Sequence, residues 1–174
     1  MANTLAWGKK ISPLERNAVF AMCERLLLDP DYLMAAMAFE TGETFSPAKR
    51  NGAGSGATGL IQFMPATARS LGTTTDKLAA MTFLGQLVYV ERYFTPHRGR
   101  LQTLSDTYMA ILWPKAIGQA ESAVLWSRQG SPKTYGQNAG LDSNRDGIIT
   151  KAEAAAKVQA KLVRGMSPAF RWAA

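Results

Sequence analysis

The sequence holds one cysteine and one histidine in 174 residues. A lone Cys23 excludes an internal disulfide, a cysteine-rich zinc site and a CxxC redox pair. A lone His97 excludes an HExxH zinc centre. No apolar run reaches about eighteen residues, so a membrane-spanning helix is excluded. The opening stretch MANTLAWGKKISP has no apolar core of the kind a secretory signal needs, and none is expected. Acid is also scarce: 13 Asp+Glu stand against 20 Lys+Arg, a formal charge of +7. That balance favours a polyanionic partner, whether nucleic acid, anionic membrane or an acidic wall polymer. The basic residues are scattered and no DNA- or RNA-binding motif is present, so nucleic acid is not the expected partner. Apolar residues make up 47%, which excludes a disordered chain, and the length suits one domain.

What is present is a series of helix starts. Ser12-Pro13-Leu14-Glu15 has a capping serine, a proline at the first helical position and a glutamate to close the capping box. Val19, Phe20, Cys23, Leu26 and Leu27 follow on one stripe, which makes Cys23 a core residue rather than a nucleophile. Asp29-Pro30 starts a second helix, whose body from Tyr32 to Phe39 is almost wholly apolar and therefore buried. Gly42 is its expected stop. Residues 51–59, NGAGSGATG, predict a loop or small hairpin, and 60–63 a short extended piece. Helices are expected from Pro65 to near Gly72, over 82–94, over 103–112 and over 151–164. The segment 119–140 is only weakly patterned. The sum is a mainly helical single domain with a small extended element after residue 50.

Glu40 is the first residue that suggests chemistry. Burial at the end of an apolar helix disfavours a charged carboxylate, and the negative end of the helix dipole disfavours it further. Both raise its pKa toward the range a general acid needs. On position alone, a glutamate reaching out to water is the commoner case. The loop Gly56 to Ala68, GATGLIQFMPATA, changes that balance. Gly56 and Gly59 permit close backbone approach to a ligand. Gln62 offers a donor and an acceptor on one amide. Phe63 and Met64 offer apolar surface for sugar faces.

Phe39-Glu40-Thr41-Gly42 followed by GATGLIQFMPATA resembles the lytic transglycosylase family related to the soluble lytic transglycosylases and goose-type lysozymes. In that family a helix-end Glu, usually followed by Ser, precedes a Gly-Leu-Met-Gln-x-Met-Pro-type segment. Thr41 here replaces the Ser and Ile61 the Met. The match covers residues 35–71. The family's later Ala-Tyr-Asn-Ala-Gly segment has its counterpart at Thr107-Tyr108-Met109-Ala110, with Met109 in the place of Asn and no glycine after it.

The resemblance implies an α+β lysozyme-like fold and, as substrate, the β-1,4 bond between N-acetylmuramic acid and N-acetylglucosamine in peptidoglycan. It makes Glu40 the acid/base. It makes Thr41, Thr58, Gly59, Gln62, Phe63 and Tyr108 the substrate-binding residues. An attack by the C6 hydroxyl of the muramic sugar would leave a 1,6-anhydro end with no second carboxylate. A hydrolytic muramidase would need a partner acid at roughly 5–9 Å, and Glu43, Glu91 and Asp106 are the candidates. A third reading is a wall-binding or virion module without catalysis. The missing signal fits a phage endolysin released through a membrane pore, or a component of the virion; a monomer is expected.

Residues 142–153, DSNRDGIITKAE, match an EF-hand loop. Asp142, Asn144 and Asp146 occupy positions 1, 3 and 5, and Gly147 takes the sharp turn at 6. Ile148 offers its carbonyl at 7, Thr150 lies at 9, and Glu153 is placed to bind bidentately at 12. Ca²⁺ is the expected ion, in a structural site. The entering segment, 133–141, does not read as a convincing helix. The alanine- and lysine-rich helix that follows has a modest apolar face (Ala155, Val158, Leu162, Val163). Docking on the domain is its expected role, ahead of contact with anionic lipid.

Overall fold

The computed structural model describes residues 4–174. Local capping chemistry accounts for most helix boundaries. Helix α1 (Pro13–Leu26) begins with the expected box: Ser12 Oγ accepts from the Glu15 amide, and the Glu15 carboxylate accepts from the Ser12 amide at 2.7 Å. It closes at Leu27, whose left-handed backbone (φ 54) turns that side chain outward. Leu27 therefore leaves the stripe on which Val19, Cys23 and Leu26 are buried. Cys23 is a core residue, and burial pushes its thiol far above the usual range. Asp29 caps helix α2 (Pro30–Thr41), and Gly42 ends it in the left-handed conformation (φ 61). Leu33 to Ala38 are all buried, as an all-round apolar helix requires.

Helices α3 (Pro65–Ser70), α4 (Thr75–Ala79), α5 (Phe83–Phe94) and α6 (Leu104–Leu112) follow. Thr74, Thr82 and Thr103 cap the last three through their hydroxyls. Residues 60–63 form a turn rather than an extended piece. Thr58 makes isolated β-bridges to Arg50 and Phe63, and these are the small β element of the loop. The weakly patterned 119–140 segment contains strand β2 (Val124–Ser127) and helix α7 (Pro132–Asn138). Neither announces itself: β2 pairs with strand β3 (Ile148–Thr150) far along the chain, and α7 carries Gly136 and buries only Tyr135.

Helix α8 (Lys151–Gly165) packs against α2 and α6, burying Ala154, Ala155 and Val158. It docks on the domain as expected, with Val163 left in solvent. Strands β1 (Thr4–Leu5) and β4 (Trp172–Ala173) pair antiparallel and bring the two ends of the chain together. The result is a mainly helical single domain with two small sheets among the described residues. No helix among them is long and apolar enough to cross a membrane.

Candidate active site and cation-binding loop

Glu40 lies in the last turn of the buried helix α2 and is half-buried. No hydrogen-bond donor and no cation reaches its carboxylate among the described residues, in contrast to most acidic side chains of the molecule. Burial pushes its pKa up to about 7. A carboxyl raised toward neutrality by burial, with no partner to discharge it, makes Glu40 a candidate for proton transfer.

Two phenols stand near it. Tyr108 on α6 and Tyr93 on α5 are both held above the usual phenol range, first by burial and then by the charge of Glu40. Tyr108 packs its edge on Phe39, with ring centroids 5.6 Å apart. Tyr93 donates its hydroxyl to the Ala110 carbonyl at 2.7 Å, tying α5 to α6. Tyr93 also lines a small recess of about 60 Å³ with Ile61, Gln62, Met64, Thr67 and Ile111. Gln62 takes a left-handed backbone (φ 52), and its Nε2 donates to the Lys49 and Gly59 carbonyls at 3.1 Å each. Its Oε1 meets no donor among the described residues.

The other residues expected to bind substrate have internal roles. Thr41 is buried; its hydroxyl donates to the Met37 carbonyl at 2.7 Å and accepts from the Phe45 amide at 3.0 Å. It closes the end of α2 and holds Glu40's neighbour in place. Thr58 is equally buried, its hydroxyl shared between Arg50 and the Gly56 carbonyl. Phe63 is a buried ring at right angles to Tyr93, and it also lines the recess. Gly59 yields space to the Gln86 side chain rather than to solvent. Met64 is exposed and lines the recess.

The three candidate partner acids are all committed to ion pairs. Glu91 receives Arg25 in bidentate fashion at 2.6 and 2.8 Å, which holds its carboxyl below the usual range. Glu43 is gripped by Lys161 at 2.5 Å and Arg164 at 3.1 Å, both on α8. Partial burial would raise Glu43, but these cations outweigh it and lower the pKa. Asp106 is buried with Lys151 at 2.6 Å and also accepts from the Gly118 amide. There too burial would raise the carboxyl, and the hydrogen bonds from Lys151 and Gly118 outweigh it.

The chain matches no protein-family model and no curated protein.

The 142–153 loop does have an entering helix, α7, correcting the expectation from sequence. Strand β3 within it pairs antiparallel with β2. Asp142 is 8% exposed. Its Oδ2 accepts from Tyr135 at 2.6 Å and from the Gly147 amide at 3.0 Å, while Oδ1 is buried with no donor at all. Asn144 and Asp146 accept from the Asp146 and Ile148 amides, respectively, and face each other at 3.0 Å. Glu153 closes a capping box on Thr150 at the start of α8. No cluster of three or more His, Cys, Asp or Glu side chains stands ready for a metal among the described residues. The donor set is all oxygen and the orphaned Asp142 Oδ1 wants a positive partner, so the chemistry suits a hard cation. Glu153 has to leave its cap to serve as the twelfth-position ligand.

Proposed function

We propose that this chain cleaves the glycan strands of peptidoglycan, with Glu40 as the one acid/base. The observation that carries the reading is a half-buried carboxyl raised to about 7 by burial, with no hydrogen-bond or ion-pair partner among the described residues, and close enough to Tyr93 and Tyr108 for its charge to act on both phenols. Protonated Glu40 gives its proton to the glycosidic oxygen as the C1–O bond of the muramic sugar breaks. The carboxylate then takes the proton of the C6 hydroxyl as that oxygen bonds to C1. The products are a 1,6-anhydro end and a free 4-hydroxyl, and Glu40 regains its proton. Tyr108 and Tyr93 keep the surroundings poor in water, and the Gln62 carbonyl oxygen is available to a sugar hydroxyl or acetamido N–H.

The state of the other acids favours this route over hydrolysis. A water-using enzyme places a second carboxylate roughly 5–9 Å from the first. Glu43, Glu91 and Asp106 are each held by a cation, so none is free to activate water. Wild-type protein should clear a suspension of sacculi, and Glu40→Gln should lose the activity by a factor of about 10² or more. Equal clearing by both, or by neither, removes the reading; the latter leaves a wall-binding or structural module. Mass spectrometry of the released muropeptides separates anhydro from reducing ends.

The reading includes Ca²⁺ at the 142–153 loop, held by Asp142, Asn144, Asp146, the Ile148 carbonyl and Glu153. The ion would supply positive charge and rigidity to the loop and take no part in bond cleavage. The orphaned Asp142 Oδ1 is what supports it.

A further inference from the structure

Gln86, in the first turn of α5, is fully buried, and its carboxamide is fully engaged. Oε1 accepts from the Leu60 amide at 2.6 Å. Nε2 donates to the Pro47 carbonyl at 3.1 Å and the Leu78 carbonyl at 2.8 Å. Gly59 is the reason the group fits: a Cβ there would lie 2.2 Å from Gln86 Oε1, and the backbone has φ +89. One amide thus fastens both ends of the glycine-rich 47–60 loop to α5, and α5 to the end of α4. An amide buried in a core is costly unless every bond is made, and a fully made set fixes one conformation.

What this bracket holds is the turn that presents Gln62. The Gly59 carbonyl accepts from the Gln62 amide and from Gln62 Nε2, both at 3.1 Å. The left-handed backbone of Gln62 is unfavourable for a non-glycine residue and persists only where its surroundings impose it. The Gly59 carbonyl and the paired Thr58–Phe63 bonds close the turn around it, and Gln86 fixes that turn from inside by holding the Leu60 amide and filling the space beside Gly59. Gln86 and Tyr93 are seven residues apart and so share a face of α5. That face fastens the loop at one end and lines the recess at the other.

We propose that Gln86 is a positioning residue for saccharide binding: by locking Gly59 and Leu60 it aims the unpaired carbonyl oxygen of Gln62 at the recess. The ligand class rests on the peptidoglycan reading; the bracket does not.

The probe is tri-N-acetylchitotriose, with binding followed by calorimetry and local order by amide hydrogen exchange. Gln86→Met keeps the volume and removes the three hydrogen bonds. Exchange at Leu60 and Gln62 should rise by about a hundredfold while the amides of α2 stay as in the wild type. Affinity should fall by about tenfold. In a Gln62→Ala background the same change should cost nothing further, since the group being aimed is gone. Gln86→Glu serves if Gln86→Met does not fold. Protonated near pH 5, its carboxyl still accepts from Leu60 and donates once, so binding stays close to wild type; ionised at pH 8, it binds more weakly than wild type at that pH. Exchange that rises evenly through the chain, unchanged affinity, full additivity with Gln62→Ala, or a wild-type pH response in Gln86→Glu each overturns the proposal. A wild type that binds no saccharide overturns the peptidoglycan reading and this proposal together, whereas intact binding without coupling overturns the proposal alone.

Discussion

Glu40 bears a cost that can be measured apart from any activity. Its carboxyl ionises near pH 7 in the fold and near 4.5 in an unfolded chain. The folded state therefore prefers the proton. Below about pH 4.5 both states are protonated and nothing is lost; as pH rises to 7 and beyond, ionisation progressively opposes folding, by on the order of 3 kcal/mol at most. Glu40→Gln should then raise the melting temperature at pH 8 and leave it unchanged at pH 4, as scanning calorimetry will show. The rate of clearing by the wild type should fall above pH 7, where the acid form is lost. Glu40 was readable from sequence because an unbroken apolar run, a closing glycine and a single acid fix where the side chain sits. The internal bonds of Thr41 and Thr58 and the burial of Phe63 are not legible in the sequence, for a physical reason. Which way a residue faces in a tight turn depends on distant partners, here Phe45, Arg50 and Tyr93. Gln86 and Tyr93 carried no local signal, since each looks like an ordinary position of an amphipathic helix.

Helix α6 illustrates how elements are tied rather than merely packed. Its first turn presents Asp106 to Lys151 at the start of α8, and Lys151 also donates to the Gln119 carbonyl at 2.8 Å. Lys151 is 1% exposed, so the ammonium is wholly dependent on these partners. Lys151→Met should cost about 3–5 kcal/mol in urea denaturation, because it strands a buried carboxylate. Adding Asp106→Leu should restore most of the loss, since removing both charges removes the desolvation penalty as well. Helix existence was legible almost throughout, through capping residues and apolar spacing. The ion pair was not, because 45 residues separate its members and a lysine in a calcium-loop pattern reads as solvated. Strand β2 was lost for a similar reason: its partner follows only after α7.

Across the whole molecule, α8 draws the Glu40 end of α2 and the 142–153 loop into one framework. It begins at the loop, crosses α2 and α6, and ends by gripping Glu43 three residues beyond Glu40. Loading the loop should therefore stabilise the entire domain. A chelator should lower the melting temperature of the wild type toward that of Asp142→Ala and leave the variant unmoved; about 2.7 kcal/mol of stabilisation is expected when free Ca²⁺ is a hundred times its Kd. Equal melting with and without chelator removes the cation from the account. The pairing of Thr4 with Ala173 has a different consequence. A short peptide spliced across those neighbours would turn the polymer into a ring without displacing any helix. Fresh termini could be opened among the exposed residues 51–55. In such a permuted or cyclic form the β1–β4 pair, with Trp172 seated on Phe20 and Arg16, would be held by covalent continuity as well as by hydrogen bonds.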